Sequence, residues 1–182
     1  MDKKYNLTQF SHSLTLDQSI NVNIKIKSCL EELDVNEFIN FYKISNFWTG
    51  KFFIKRIINK IFKYQIKKKM IWNKNFWSLV NIRVFNTSMS INENLDLEKV
   101  LIHKTSNKRY SDIIKYKNFL LKDKNMGMPL YITGKSLNIL GAKFRSNEVF
   151  ILDGSRRLSA NIILGKNPQI IIIEAKNKLN EE

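Results

Sequence analysis

Asp153, Gly154, Ser155, Arg156 and Arg157 stand in a row directly after the apolar run 149–152. Their types suit the capture of an anion. An aspartate ending a strand can turn the chain through its own carboxylate. Gly154 tolerates a positive φ and lets a ligand come close to the backbone. Ser155 is a good helix N-cap, and its hydroxyl is also able to face a phosphate. Arg156 and Arg157 then fall in the first helical turn, where the helix dipole disfavours each cation by about 0.3–1 kcal/mol. Two arginines at that end call for a compensating anion, either a ligand or a neighbouring carboxylate. A phosphate is the natural guest for the exposed N–H groups and two guanidiniums. A plain turn with a cap, its arginines paired to nearby acids, accounts for the same residues, and both readings stand at this point.

The elements that hold this turn are legible on either side of it. Leu158, Ala160, Ile162 and Ile163 give the following helix a buried stripe, and Gly165 fits its C′ position. Four isoleucines at 170–173 make a fully apolar strand. Upstream, Gly127-Met128-Pro129 breaks the chain before a short strand at 130–133, and 134–147 reads as a polar connection. A helix is expected from a cap at Ser111 to about Lys124, and a strand over 98–103. Nearer the start, Ile20, Val22, Ile24 and Ile26 alternate with polar residues as in a half-buried strand. Leu30, Leu33, Phe38, Phe41 and Tyr42 lie at near-helical spacing over 30–44, and 79–85 suits a short strand. The fold class expected is α+β, with an α/β extension over 1–90 and a second unit over 91–182.

The 182 residues are 43% hydrophobic and carry a net charge of +15, unevenly spread. Residues 1–50 hold 5 basic and 6 acidic side chains, 51–83 hold 10 basic and none acidic, and 84–182 hold 16 basic and 10 acidic. A predicted amphipathic helix over 50–69 turns Ile54, Ile57, Ile58, Ile61 and Phe62 to one side, and Lys55, Arg56, Lys60, Lys63 and Lys67 to the other. Trp48, Trp72 and Trp77 flank it. That pattern fits a helix packed on its own domain with lysines in water, a helix docked on an anionic membrane surface, or one docked on a protein partner. Nucleic acid ranks last, because no base-reading module accompanies the segment. Cys29 is the single cysteine, so no internal disulfide forms and a reducing compartment is expected. No apolar run approaches the roughly 20 residues of a spanning helix, and the N-terminus lacks a signal-peptide core. The location expected is cytoplasmic, with a peripheral membrane contact as the variant. His12 and His103 show no metal-ligand spacing.

The region 97–174 resembles the ParB/sulfiredoxin superfamily. Gly127-Met128-Pro129-Leu130-Tyr131-Ile132 is similar to its G-x-P-x-x-V-like signature. Asp153-Gly154-Ser155-Arg156-Arg157-Leu158-Ser159-Ala160 is similar to its D-G-x-x-R unit, and the isoleucine strand to its closing strand. The resemblance implies a mixed sheet with helices and a bound nucleotide, ATP or CTP with Mg²⁺. It places the Gly154 N–H, Ser155 and Arg157 on the phosphates with Arg156 beside them, and Asp153 as a residue that orients the turn or helps hold a metal. Departures narrow it. Ser155 and Ser159 stand where ParB proteins carry Glu and Arg, and the sequence shows neither the E-N-x-x-R box nor a helix-turn-helix, so DNA binding of that type is not implied. Ser155 also stands where sulfiredoxins carry their reactive cysteine. In the free-serine kinase branch, with D-G-H-H-R, Arg156 replaces the second histidine. Transfer of a phosphoryl group, by a kinase or nucleotidase, would further need a carboxylate and a base; Glu98, Asp112 and Glu148 are the candidates by position. The alternative is a non-enzymatic binding or scaffold protein that docks through the 50–69 helix.

Overall fold

In the computed structural model of the chain, the residues described are 22–44, 74–91, 107–122 and 127–177. The isoleucine run explains their arrangement. Successive side chains of a strand point to opposite faces, yet Ile170, Ile171, Ile172 and Ile173 are all buried. Each face of that strand therefore needs its own cover.

The chain supplies β1 (Val22–Leu33), α1 (Val35–Ile44), α2 (Lys74–Ser78), β2 (Val80–Ile91), α3 (Asn107–Leu121), β3 (Leu130–Thr133), α4 (Gly134–Ile139), β4 (Val149–Asp153), α5 (Ser155–Ile163) and β5 (Ile170–Ala175). The strands form one mixed sheet in the order β1-β2-β5-β3-β4. β3 runs parallel to β5, and the other neighbours are antiparallel. The fold is α+β. On one face, Ile170 and Ile172 join Tyr131, Ile151, Ile113 of α3 and Leu158 of α5. On the other, Ile171 and Ile173 join Ile82, Ile132, Phe76 of α2 and Leu137 of α4. Burying each large aliphatic side chain contributes about 1.5–3 kcal/mol, so both layers hold the sheet. β2 pairs with β5, which comes from the C-terminal half of the chain.

Several elements start elsewhere than their spacing suggests. Leu30 and Leu33 belong to β1, and α1 begins only at Val35. The cause is Asp34, whose Oδ1 accepts the N–H groups of Asn36 at 2.8 Å and Glu37 at 2.9 Å and so starts the helix. The short strand read at 79–85 continues to Ile91, because β1 pairs with it along its length. Ser111 is not a cap. α3 starts at Asn107, since the stripe that packs on the core begins at Tyr110 and continues through Ile113 to Leu120. The connection 134–147 contains α4, capped by Thr133, whose hydroxyl accepts the Ser136 N–H. The strand read at 98–103 and the helix read at 50–69 lie outside the described residues.

One ion-pair group ties three strands. Arg83 of β2 donates from Nε to Glu32 of β1 at 2.8 Å, and its Nη1 lies 3.6 Å from Glu174 of β5. The Glu32 hydrogen bond leads the effects that raise the Arg83 pKa above its ordinary value. The Arg83–Glu32 contact is partly exposed and contributes modestly. Glu174 is buried, at 5% exposure, and needs a cation beside it.

Candidate functional site

β4 ends at Asp153, which pairs in register with Leu130 at the start of β3. The chain then turns through Gly154, at φ 85° and ψ 16°, a left-handed conformation that glycine adopts without steric cost. Gly154, not Ser155, is the N-cap of α5, and it brings no side chain to cap the helix. The first bond of the helix runs from the Leu158 N–H to the Gly154 carbonyl at 2.9 Å. The N–H groups of Ser155 and Arg156 precede that ladder and have no intramolecular acceptor among the described residues.

The turn rests on the Gly127-Met128-Pro129 loop. A Cβ placed on Gly154 would come within 2.8 Å of the Pro129 Cα. The Pro129 carbonyl in turn accepts the Ile171 N–H at 2.9 Å, which fixes the loop to β5. Between the two glycines runs the side chain of Arg157, only 17% exposed. A Cβ on Gly127 would meet its Nη1 at 2.7 Å, and one on Gly154 would meet Nη2 at 3.1 Å and Nε at 3.2 Å. Both backbone positions must therefore be bare for this guanidinium to lie where it does.

Charge is gathered here from two helices. Arg157 Nη2 pairs with Asp153 Oδ2 at 2.8 Å, one helical turn apart. Arg156 Nε pairs across to Asp112 Oδ2 of α3 at 3.3 Å. Arg109, also on α3, donates from Nη2 to the Ser155 hydroxyl at 3.3 Å. The anion that two arginines at a helix start require is thus met by two carboxylates. Among the described residues, Arg109, Arg156 and Arg157 gather beside Asp112, Asp153 and Ser155.

Asp153, Gly154, Ser155, Arg156, Arg157 and Asp112 therefore meet at one edge of the sheet. Ser155 takes the first helical position rather than the cap, because the left-handed Gly154 already occupies it. Glu148 does not join them. It precedes β4 at the opposite end, roughly 17 Å from the turn at about 3.3 Å per strand residue, and its carbonyl accepts the Gly134 N–H. Glu98 and the basic side chains Lys55, Arg56, Lys60, Lys63 and Lys67 lie outside the described residues. Arg109 was not foreseen from the sequence. The signal available was an arginine three residues before Asp112, which places both on one side of a helix.

The fit to Mg²⁺ is poor among the described residues. Asp112 and Asp153 are each committed to an arginine, and no group of three or more His, Cys, Asp or Glu is placed to hold a metal. No described helix is long and apolar enough to cross a membrane. The start of α5 thus carries two N–H groups outside the helical ladder, the Ser155 hydroxyl held by Arg109, and two arginines held by carboxylates. Compared with protein-family models, with curated proteins and with solved structures, the chain matches none of them.

Proposed function

We propose that this protein binds a phosphate-bearing ligand at the 153–157 turn, a nucleotide such as ATP or CTP being the form that the ParB/sulfiredoxin resemblance favours. One observation carries the reading. The two signatures that suggested it, 127–132 and 153–160, are separate in sequence and touch in space, closing around the guanidinium of Arg157 through Gly127 and Gly154. The order of β3 after the Gly-x-Pro loop, then β4, turn, α5 and β5, supports the ParB/sulfiredoxin-like fold as the finer description of the sheet. In this reading phosphate oxygens accept the Ser155 and Arg156 N–H groups at the positive end of the α5 dipole. Arg157 supplies a guanidinium whose position the turn has already fixed, so little ordering entropy is lost on binding. With Glu148 distant from the turn, the proposal is binding, and no step passes through Mg²⁺.

The test is thermal unfolding with ATP, CTP and inorganic pyrophosphate. A ligand at about one hundred times its Kd adds about 2.7 kcal/mol, which raises the Tm of a chain this size by about 5–10 °C. Arg157→Ala, with its fold checked by circular dichroism, removes the shift. A wild-type Tm unmoved by all three compounds would falsify the proposal.

A further inference from the structure

β1 and β2 run on beyond the rest of the sheet. β5 pairs with β2 only from Val80 to Phe85, whereas β1 follows β2 further, from Ile26 opposite Thr87 to Val22 opposite Ile91. Past Phe85 the described strands therefore form a two-stranded ribbon, roughly 20 Å long over 86–91 at about 3.4 Å per residue. We propose that the outer face of this ribbon is a nucleic-acid surface that lies in the major groove of duplex DNA.

The two faces of the ribbon carry opposite chemistry. Inward, Ile24 is buried, and Ile26 and Met89 pack with it on the core that α3 and α5 cover. Thr87 is buried beside them and donates its hydroxyl to the Pro168 carbonyl at 2.6 Å. Strand side chains alternate, so Lys25, Lys27, Asn86, Ser88 and Ser90 take the other face. Lys25 stands directly across from Ser88. Asn86 donates to the Ser28 hydroxyl and accepts from Gln169 Nε2, each at 3.4 Å. On β2 the change is abrupt. Val80, Ile82 and Val84 sit in the second apolar layer, and the next positions on that face are Asn86, Ser88 and Ser90. The apolar cover stops where the β5 ladder stops.

A face left to water ordinarily mixes charges of both signs. Here residues 22–30 and 84–91 contain Lys25 and Lys27 and no Asp or Glu. Glu31 and Glu32 stand lower on β1, opposite Val84 and Arg83, and Glu32 is bonded to Arg83. Two cations beside amide and hydroxyl groups complement a phosphate backbone and the base edges it flanks. The lysines suit the phosphates, and asparagine and serine are types that hydrogen-bond to base edges. Size agrees. Paired strands lie about 4.8 Å apart, and the B-DNA major groove, about 12 Å wide, admits a two-stranded ribbon. The same groove of A-form RNA is too deep and narrow. A membrane surface calls for apolar side chains on the outer face, whereas Ile24, Ile26 and Met89 turn inward. No base-reading module was legible in the sequence, because this one exists only once two distant strands pair.

Fluorescence anisotropy of the full chain with a short labelled DNA duplex, over a range of salt, tests this. Wild type should bind. Lys25→Gln and Lys27→Gln together should weaken binding about tenfold and lower the slope of log affinity against log salt by about 2, one phosphate contact per lysine. Ser88→Glu sets a carboxylate across from Lys25 and should weaken binding by a similar factor. Ser90→Lys should tighten it about threefold, a gain that a damaged fold cannot produce. Lys143→Gln, in the exposed connection that leads into β4, should stay within about twofold of wild type. If the ribbon variants bind as wild type does, or Lys143→Gln costs as much as they do, the DNA is held elsewhere and the inference falls. It falls too if no duplex binds at low salt, or if phosphatidylserine vesicles bind through the lysine pair while DNA does not. Duplex RNA competing as well as duplex DNA would overturn the groove assignment. The 153–157 turn takes no part, so the phosphate proposal stands or falls separately.

Discussion

Gly154 and Gly165 hold similar backbone conformations, φ 85° and φ 63°, in opposite surroundings. At Gly165 nothing lies within 4 Å of where a Cβ would stand. It closes α5 by donating its N–H to the Ile162 carbonyl at 3.1 Å, and the Lys166 N–H goes to the Asn161 carbonyl at 3.0 Å. Gly165→Ala should therefore cost only the left-handed penalty of about 1–2 kcal/mol. Gly154→Ala adds a methyl 2.8 Å from the Pro129 Cα and 3.1 Å from Arg157 Nη2. Its cost should exceed that of the Gly165 change, and the arginine should be pushed from its place. Urea denaturation of the two variants checks the order, and equal losses would refute the crowding argument. Both glycines were legible in the sequence, because each follows the end of a regular pattern. The contact of Gly154 with Pro129 was not, since it depends on β3 pairing with β4. The same limit hid Arg109, whose hydroxyl partner is 46 residues away.

α4 shows what an element owes to its surroundings. Gly134, Lys135, Ser136 and Asn138 dilute any apolar stripe, so the segment reads as polar connection. In the fold, Leu137 is fully buried and Leu140 nearly so, and the second face of the sheet supplies what the local pattern lacks. Thr133 starts the helix. Its Oγ1 accepts the Ser136 N–H at 3.2 Å and lies 2.9 Å from Ser136 Oγ, which donates to the Ile173 carbonyl of β5 at 3.2 Å. Thr133→Val keeps the shape and removes the acceptor, leaving a buried N–H without its partner. A loss of about 1–2 kcal/mol is expected from equilibrium unfolding, and an unchanged midpoint would mean that the cap contributes nothing. α3 and α1 make the complementary point. Their existence was legible from 3.6-residue spacing, but their first residues were set by Tyr110 packing and by the Asp34 carboxylate, neither of which periodicity reports.

At the scale of the whole molecule, the proposed phosphate-binding site ties to one face of β5 and not to the other. Ile172 and Ile173 are both fully buried, so each change to alanine should cost about 2–5 kcal/mol. Only Ile172 shares a cluster with Leu158 and Ile162 of α5. Ile172→Ala should therefore also weaken pyrophosphate binding by loosening the helix that carries the turn, and Ile173→Ala should not. Denaturation and titration of both variants check this; equal binding losses would remove the role given to that face. The α+β class and both covers of the isoleucine strand were legible, because an unbroken apolar run implies burial on two sides. The neighbours of each strand were not, since side-chain period fixes which residues share a face and is silent on lateral order. That order has a consequence for the chain as it is made. β5 follows every other described strand in sequence, yet it lies between β2 and β3. Until it slides in, β1–β2 and β3–β4 are two ribbons with no ladder between them, each marginal alone. The wedge that joins them is synthesised only after α5, and its Ile171 N–H then bonds the Pro129 carbonyl and ties that loop to the sheet. The Gly-x-Pro loop that borders Arg157 is thus anchored by the last described strand to be made, in the same event that closes the sheet.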